Sequence, residues 1–422
     1  MGVAPIASTA EIAHDPGDSR LAGHVPVLDG VRGIAILGVI VFHAAVFEAH
    51  NRVELALAMA AALGWAGVDL FFVLSGFLIT GILLKARDGA NYYRSFYIRR
   101  GLRIFPLYFC YCAVLFLVLP TIFGWRSPES AKLVAAAPWY LTYTLNVRMA
   151  LFGPRAAVYS TLFLWSLAVE EQFYLLWPSI VRRMRLAHLS RLCLVIAVVA
   201  LALRIWMVRS GHVLASYVLL PSRMDGLALG AWLAIQVVRP GMLDRLARAA
   251  RLVLPACAIG LLLVIRSSGQ AGWEMPLMST VGLSLTALGS TAFIVLAVAG
   301  GGARQKLLSR AVSSAPLRFF GRYAYGLYVL ADAGTRVVKA SGLLKLVPKM
   351  ALGSPLPWVV WNLSLILSAT TALALISWTL IERPALSLKR LFPYGEARRA
   401  AVPQPVGAPH DALRGVETER VR

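Results

Sequence analysis

The sequence predicts an all-α fold, a polytopic helical bundle embedded in a membrane, and three observations carry that expectation. Of 422 residues, 59% are hydrophobic and only 15% are charged, against roughly a quarter charged in soluble domains. The charge is lopsided, 42 Lys and Arg against 20 Asp and Glu for a net of +22, and it is segregated from the apolar runs. Those runs recur at about 20 residues, the length that crosses a bilayer as helix. Such a composition excludes a disordered chain, a disulfide scaffold and an ordinary cytosolic enzyme.

Ten stretches meet the length requirement: 32–49, 65–84, 103–123, 161–181, 192–208, 222–238, 252–265, 276–299, 317–333 and 357–381. The seventh is short. A further stretch, 133–145, holds Pro138 and is too short to span, so it reads as interfacial or re-entrant. The expectation is therefore about ten transmembrane helices plus one short segment. Residues 1–27 lack an apolar core of signal-peptide length and read as a cytoplasmic tail. Residues 28–390 form the membrane domain, and 391–422 a disordered cytoplasmic tail.

Orientation follows from the loops, because cytoplasmic loops carry the excess Lys and Arg. Residues 85–103 hold Lys85, Arg87, Arg94, Arg99, Arg100 and Arg103, and 182–191 hold Arg182, Arg183, Arg185 and Arg191. With 133–145 not crossing, these fall on one face with the basic segments 239–251 and 300–318 and both termini. The expected location is the inner membrane, with both termini cytoplasmic. One segment breaks the pattern: 334–356 places Arg336, Lys339, Lys345 and Lys349 on the opposite face, with spacing that suits an amphipathic surface helix. Cys110, Cys112, Cys193 and Cys257 all lie in apolar runs and read as buried small hydrophobes.

Ionisable groups inside spans are costly and mark candidate functional sites. Arg32 and His43 are eleven residues apart, which at 100° per residue returns to one helix face about 16 Å further on. Arg32 then stands at the cytoplasmic edge and His43 near mid-bilayer, where a neutral imidazole can take a proton; the alternative is a packing histidine bonded to a neighbour. Arg99, Arg100 and Arg103 form a guanidinium group suited to phosphates, or they simply anchor the loop to anionic lipid. Glu170 and Glu171 interrupt an apolar run and point about 100° apart, so they serve different partners; one is a candidate to pair with Arg204. Asp69 sits near an outer span end, as acceptor ligand or cap, and Arg223 and Asp225 read as a capping pair. No phosphate-binding loop for ATP, no metal-ligand signature and no nucleophile elbow occurs, and charge confined to loops beside spans is a poor match for nucleic acid.

Several blocks resemble the acyltransferase-3 family of membrane O-acyltransferases. They are Leu28-Asp29-Gly30-Val31-Arg32-Gly33 with His43, Gly67-Val68-Asp69-Leu70-Phe71-Phe72 through Ser75-Gly76, and Tyr97-Ile98-Arg99-Arg100 with Arg103. Trp165 through Tyr174, Arg223-Met224-Asp225-Gly226 and Ile381-Glu382-Arg383-Pro384 follow in the same order. The resemblance runs over about 28–390. It implies transfer of an acyl group, usually acetyl, from acyl-CoA as co-substrate to a hydroxyl of a carbohydrate or glycosylated acceptor, without a bound cofactor or metal. The family's basic-x10-His pattern falls on Arg32 and His43, its Arg-x-x-Arg pattern on Arg100 and Arg103, and its acidic block on Glu170 and Glu171. On that reading His43, Glu170 and Glu171 are catalytic, and Arg32, Arg99, Arg100 and Arg103 bind the donor. Asp69, Asp225, Tyr328 and Asp332 contact the acceptor. Some members add an esterase-like domain; about 40 residues follow Glu382 here, which resembles the stand-alone form. The late Tyr-Gly-Leu-Tyr block departs from the family, with Ala331 where a His is usual and Asp332 as the candidate replacement. A transporter or flippase of a sugar-linked lipid is the rival reading, since buried Glu and His permit it.

Overall fold

The computed structural model describes residues 25–154, 161–299, 303–351 and 353–394. Of the tails expected over 1–27 and 391–422, residues 1–24 and 395–422 lie outside the described residues, while helix already begins at Pro26 and a short helical turn runs to Leu391. Among the described residues the regular structure is helical, without strands. Helix α1 is Pro26–Ala44, α2 Arg52–Ala62 and α3 Gly67–Ala86. α4 (Tyr92–Ala113) continues through a π turn into α5 (Leu119–Phe123), and the short α6 (Pro128–Leu141) and α7 (Leu145–Phe152) follow. Then come α8 (Trp165–Arg183), α9 (Leu186–Arg209), α10 (Val213–Val218), α11 (Leu220–Val237) and α12 (Met242–Ser268). The chain closes with α13 (Leu283–Ala299), α14 (Ala303–Val312), α15 (Ala315–Arg322), α16 (Ala324–Ser341), α17 (Leu356–Ser377) and α18 (Arg383–Ser387).

Eight helical runs are long and apolar enough to cross a bilayer: Pro26–Ala44, Arg52–Ala86, Tyr92–Ile122, Leu186–Arg209, Val213–Val237, Met242–Ser268, Met278–Ala299 and Leu356–Leu391. The protein is a multi-pass membrane protein. Two further expected spans, α8 and α16, have 19 and 18 residues but carry more charge than a lipid-exposed span tolerates. Both charges and helices are accommodated by packing inside the bundle, where Trp177, Phe173 and Leu327 are almost fully buried.

Two expectations change and a third holds. The seventh span is a full 27-residue helix, Met242–Ser268, bounded at both ends by left-handed glycines, Gly241 (φ 71°) and Gly269 (φ 70°). The segment 334–356 is not a separate surface helix. Arg336 and Lys339 belong to α16, which ends at Gly342 with φ 74°; Pro348 and Pro355 then break the chain before α17. The stretch 133–145 falls on α6 and the approach to α7, both too short to span. Between them Tyr143 adopts φ 53°, the single non-glycine residue with positive φ among the described residues. Its ring stacks on Tyr108 at 4.3 Å and its carbonyl accepts from Gln172, so packing holds the strained turn.

Close helix approach fixes the centre of the bundle. A Cβ at Gly76 of α3 would stand 1.9 Å from the Leu227 carbonyl oxygen, and one at Gly230 of α11 would stand 1.9 Å from the Val73 oxygen. Small residues at such contacts let backbones meet where lipid offers no hydrophobic drive for association. In the same way Gly33 of α1 rests against Leu317 of α15. These contacts pin α1 and α3, the helices that carry Arg32, His43 and Ser75, to the rest of the bundle.

Candidate active site

Two cavities lie along the axis of α1. The first, about 110 Å³, is bounded by Arg32, Arg100 and Arg103 on its basic side and by Ser75, Glu170, Tyr174 and Tyr325 deeper in. Glu170 is tightly held. Ser75 Oγ donates to its Oε1 at 2.9 Å and the Tyr174 hydroxyl to its Oε2 at 2.9 Å. The Arg100 guanidinium lies 5.0 Å over the Tyr174 ring, within cation–π range. Arg32 is bound to Asp29 one turn earlier at 2.9 Å, which aims its guanidinium while leaving further N–H donors. Three guanidinium groups lining one small chamber make an anion-binding mouth, with Glu170 in its polar floor.

The second cavity, about 230 Å³, is bounded by His43, Phe163, Tyr328, Asp332, Thr335 and Lys339 over an apolar wall of Ile36, Val39 and Ile40. Arg32 and His43 do share a stripe of α1, as their spacing predicts, but the stripe joins two chambers rather than one. His43 stands in the last turn of α1, one residue before its end, and not at mid-helix. Its ring meets Phe42 and Phe163 edge-on and is open to the cavity, with no hydrogen bond engaging it among the described residues. Asp332 is 4% exposed, its Oδ2 held by Arg336 Nε at 2.7 Å while Oδ1 is buried without a partner.

Tyr328 borders both cavities. Its hydroxyl donates to the Phe163 carbonyl and receives the Ser166 hydroxyl at 2.6 Å. The Phe163 ring stands edge-on to it at 5.2 Å. Tyr328, Phe163 and Ser166 thus form a partition between the arginine-lined chamber and the histidine-lined one.

Other expected site residues lie elsewhere. Arg99 is turned away from the first cavity; it donates to the carbonyls of Lys389 and Phe392 and stacks on Tyr394, tying the end of the described chain to α4. Glu171 does not share the cavity with Glu170, and its Oε1 is buried without a partner. Asp69 lies in the first turn of α3, near the helix end as expected, but is 1% exposed and bound to Arg223 at 2.9 Å. Asp225 binds Arg204 at 2.7 Å, so neither the expected Arg204–glutamate pair nor the Arg223–Asp225 cap forms. Both pairs cross between helices, α3 to α11 and α9 to α11, and Arg223 is ringed by Phe72, Trp165 and Tyr217. These pairs border neither cavity and organise the scaffold around it.

Sequence reasoning missed Ser75, Ser166 and Tyr174 as site residues. The signals were present: Glu170 and Tyr174 are one helical turn apart on a shared face, and Ser75 and Ser166 are lone hydroxyls in apolar runs.

A helical membrane bundle whose α1 presents an arginine to one chamber and a histidine to the next defines a polytopic membrane protein with a central polar site. Comparison with known sequences identifies the class. The profile of the acyltransferase-3 family, described as an acyltransferase domain, matches residues 25–382, and the chain belongs to that family. It is similar to the peptidoglycan O-acetyltransferase OatA of Listeria monocytogenes, 27% identical over 381 residues, covering 86% of this chain and 56% of that protein. YrhL of Bacillus subtilis, provisionally named a peptidoglycan O-acetyltransferase, is also 27% identical, over 86% of this chain and 55% of its own length. A Staphylococcus aureus protein provisionally named an O-acetyltransferase is 35% identical over 165 residues, 37% of this chain and 24% of its own. The chain thus spans about half the length of the curated relatives it matches over most of its own. No solved structure matches it.

Proposed function

We propose that the protein is an inner-membrane O-acyltransferase with cytoplasmic termini, which moves an acetyl group from cytoplasmic acyl-CoA to a hydroxyl of a carbohydrate or glycosylated acceptor. The observation that carries this reading is the pair of cavities meeting at Tyr328. One offers guanidinium groups on the basic face, the other an unbonded imidazole on the opposite face. Arg100 and Arg103 receive donor phosphates in forked geometry, with Arg32 deeper in and fixed by Asp29. The first chamber, at about 110 Å³, is well below the roughly 300 Å³ at which sites enclosing drug-sized ligands begin, so it takes the narrow pantetheine arm of the donor rather than the whole molecule. The names of the relatives support acetyl as the group and a wall or surface polysaccharide as the acceptor.

In this mechanism the donor thioester passes Tyr328 to reach the acceptor in the second chamber. His43 takes the proton from the acceptor hydroxyl as its oxygen bonds to the acyl carbon. The C–S bond then breaks, and the departing thiolate takes the proton back from the imidazolium. Glu170 holds Ser75 and Tyr174 in the donor chamber and keeps its floor polar. The test is acceptor-dependent release of CoA thiol from acetyl-CoA by the purified protein in proteoliposomes. Wild type should release thiol and acetylate the glycan, and His43→Ala should do neither while remaining folded. Full activity in His43→Ala overturns the role of His43. Two chambers on either side of a barrier also describe alternating access; movement of a glycolipid with no thiol release at any acceptor concentration would establish transport instead.

A further inference from the structure

The second cavity has a charge pattern that the transfer reaction does not use. α16 presents Tyr328, Asp332, Thr335 and Lys339 to it, a stripe in which Tyr328 and Lys339 are eleven residues and about 16 Å apart on one helix face. Asp332 is spoken for: its Oδ2 is held by Arg336 and its Oδ1 is buried away from the cavity, so among the described residues it does not neutralise Lys339. Lys339 lies at the exposed end of the stripe, and no carboxylate engages it among the described residues, whereas the neighbouring Arg336 is already held by Asp332. Basic residues are disfavoured on the face opposite the arginine-rich loops. Of the four basic residues expected on that face, Arg336, Lys339, Lys345 and Lys349, Lys339 is the one that lines the histidine chamber.

We propose that this chamber selects an acceptor bearing an acidic group, a carboxylate or a phosphate. Lys339 binds the acid at the mouth, and a hydroxyl of the same acceptor reaches His43. The proposal rests on the acceptor chamber assigned above, and it commits to the chemistry of the acceptor rather than to its name.

Equilibrium binding without any acyl donor tests it, so that a failure of acyl transfer is not confused with a failure of selection. The full chain in detergent is titrated calorimetrically with a neutral glucan trisaccharide, its terminal uronate and its terminal 6-phosphate. The acidic forms should bind about tenfold more tightly than the neutral one, as a charge-assisted hydrogen bond contributes. That preference should vanish in Lys339→Gln and persist in Lys339→Arg, with melting temperatures unchanged in both. The preference should also weaken as salt rises from 50 to 500 mM, since Lys339 is exposed. A uronate preference over phosphate, or the reverse, distinguishes the two acids. Equal binding of neutral and acidic probes, binding of none, or a preference that survives Lys339→Gln overturns the proposal; the last would assign Lys339 to lipid headgroups.

Discussion

Ser166 and Tyr328, from α8 and α16, meet hydroxyl to hydroxyl at 2.6 Å at the wall between the two cavities. The Tyr328 proton goes to the Phe163 carbonyl, so the phenol is both donor and acceptor and its ring is locked in place. Rotation of that one side chain would break both hydrogen bonds and join the two chambers. Acyl transfer across the wall needs that opening, and water must not follow.

Tyr328→Ala should therefore uncouple the reaction. With the ring gone, donor thioester in the first chamber meets water from the second, and CoA thiol should be released without acceptor. Lowering a barrier by about 1.4 kcal/mol raises a rate about tenfold, so a tenfold rise in acceptor-independent thiol release is expected. Ser166→Ala, which keeps the ring, should give a smaller rise. Background release unchanged in Tyr328→Ala would show that the partition lies elsewhere.

The paired charges at Asp69–Arg223 predict a non-additive stability pattern. Breaking a buried pair from one side costs about 3–5 kcal/mol, because the remaining charge is uncompensated, whereas an apolar replacement of both is close to neutral. Arg223 keeps three aromatic neighbours when Asp69 is lost, so Asp69→Ala should lie at the low end of that range. The double variant Asp69→Leu with Arg223→Met should recover most of the loss. Thermal unfolding in detergent, followed by tryptophan fluorescence, reads this directly; simple addition of the two single effects would show that the pair is not coupled.

Two glycines of the same helix pair separate close packing from helix propensity. A Cβ at Gly230 would collide with the Val73 carbonyl oxygen at 1.9 Å, while one at Gly81 of α3 meets nothing within 4 Å. Gly230→Ala should push α3 from α11 and sharply lower the yield of folded protein. Gly81→Ala should instead stabilise by about 0.5–1 kcal/mol, since alanine is the better helix former. Similar melting temperatures for the two variants would mean that the α3–α11 contact does not limit stability.

The helical bundle and the Arg32–His43 stripe were legible in the sequence because both are local: apolar run length and eleven-residue spacing need no partner. Ion pairing was not legible. Arg204, Asp69, Arg223 and Asp225 all announce themselves as buried charges, yet which binds which depends on the packing of α3, α9 and α11, which no spacing rule encodes. The same limit hid the partition. Tyr328 and Ser166 are 162 residues apart, and only the fold shows that one ring divides the site. Lys339 is visible in the sequence as a violation of charge segregation, but only the unbroken run of α16 to Gly342 shows that it belongs to a bundle helix rather than a surface one.

Arg99 and Arg100 are neighbours in sequence with opposite surroundings, which makes them a matched pair for the donor site. Arg100 faces the first cavity over Tyr174, and its truncation should raise the KM for acetyl-CoA about tenfold, the loss of a charge-assisted hydrogen bond to phosphate. Arg99 instead holds the carbonyls of Lys389 and Phe392 and stacks on Tyr394. Arg99→Ala should leave the donor KM within about twofold, an exposed-contact change of a few tenths of a kcal/mol, while exposing the segment 388–394 to protease. Initial rates across a donor series, paired with limited proteolysis of the same samples, measure both. Equal KM increases in the two variants would return Arg99 to the donor site and make the geometry of the 389–394 segment secondary to phosphate binding.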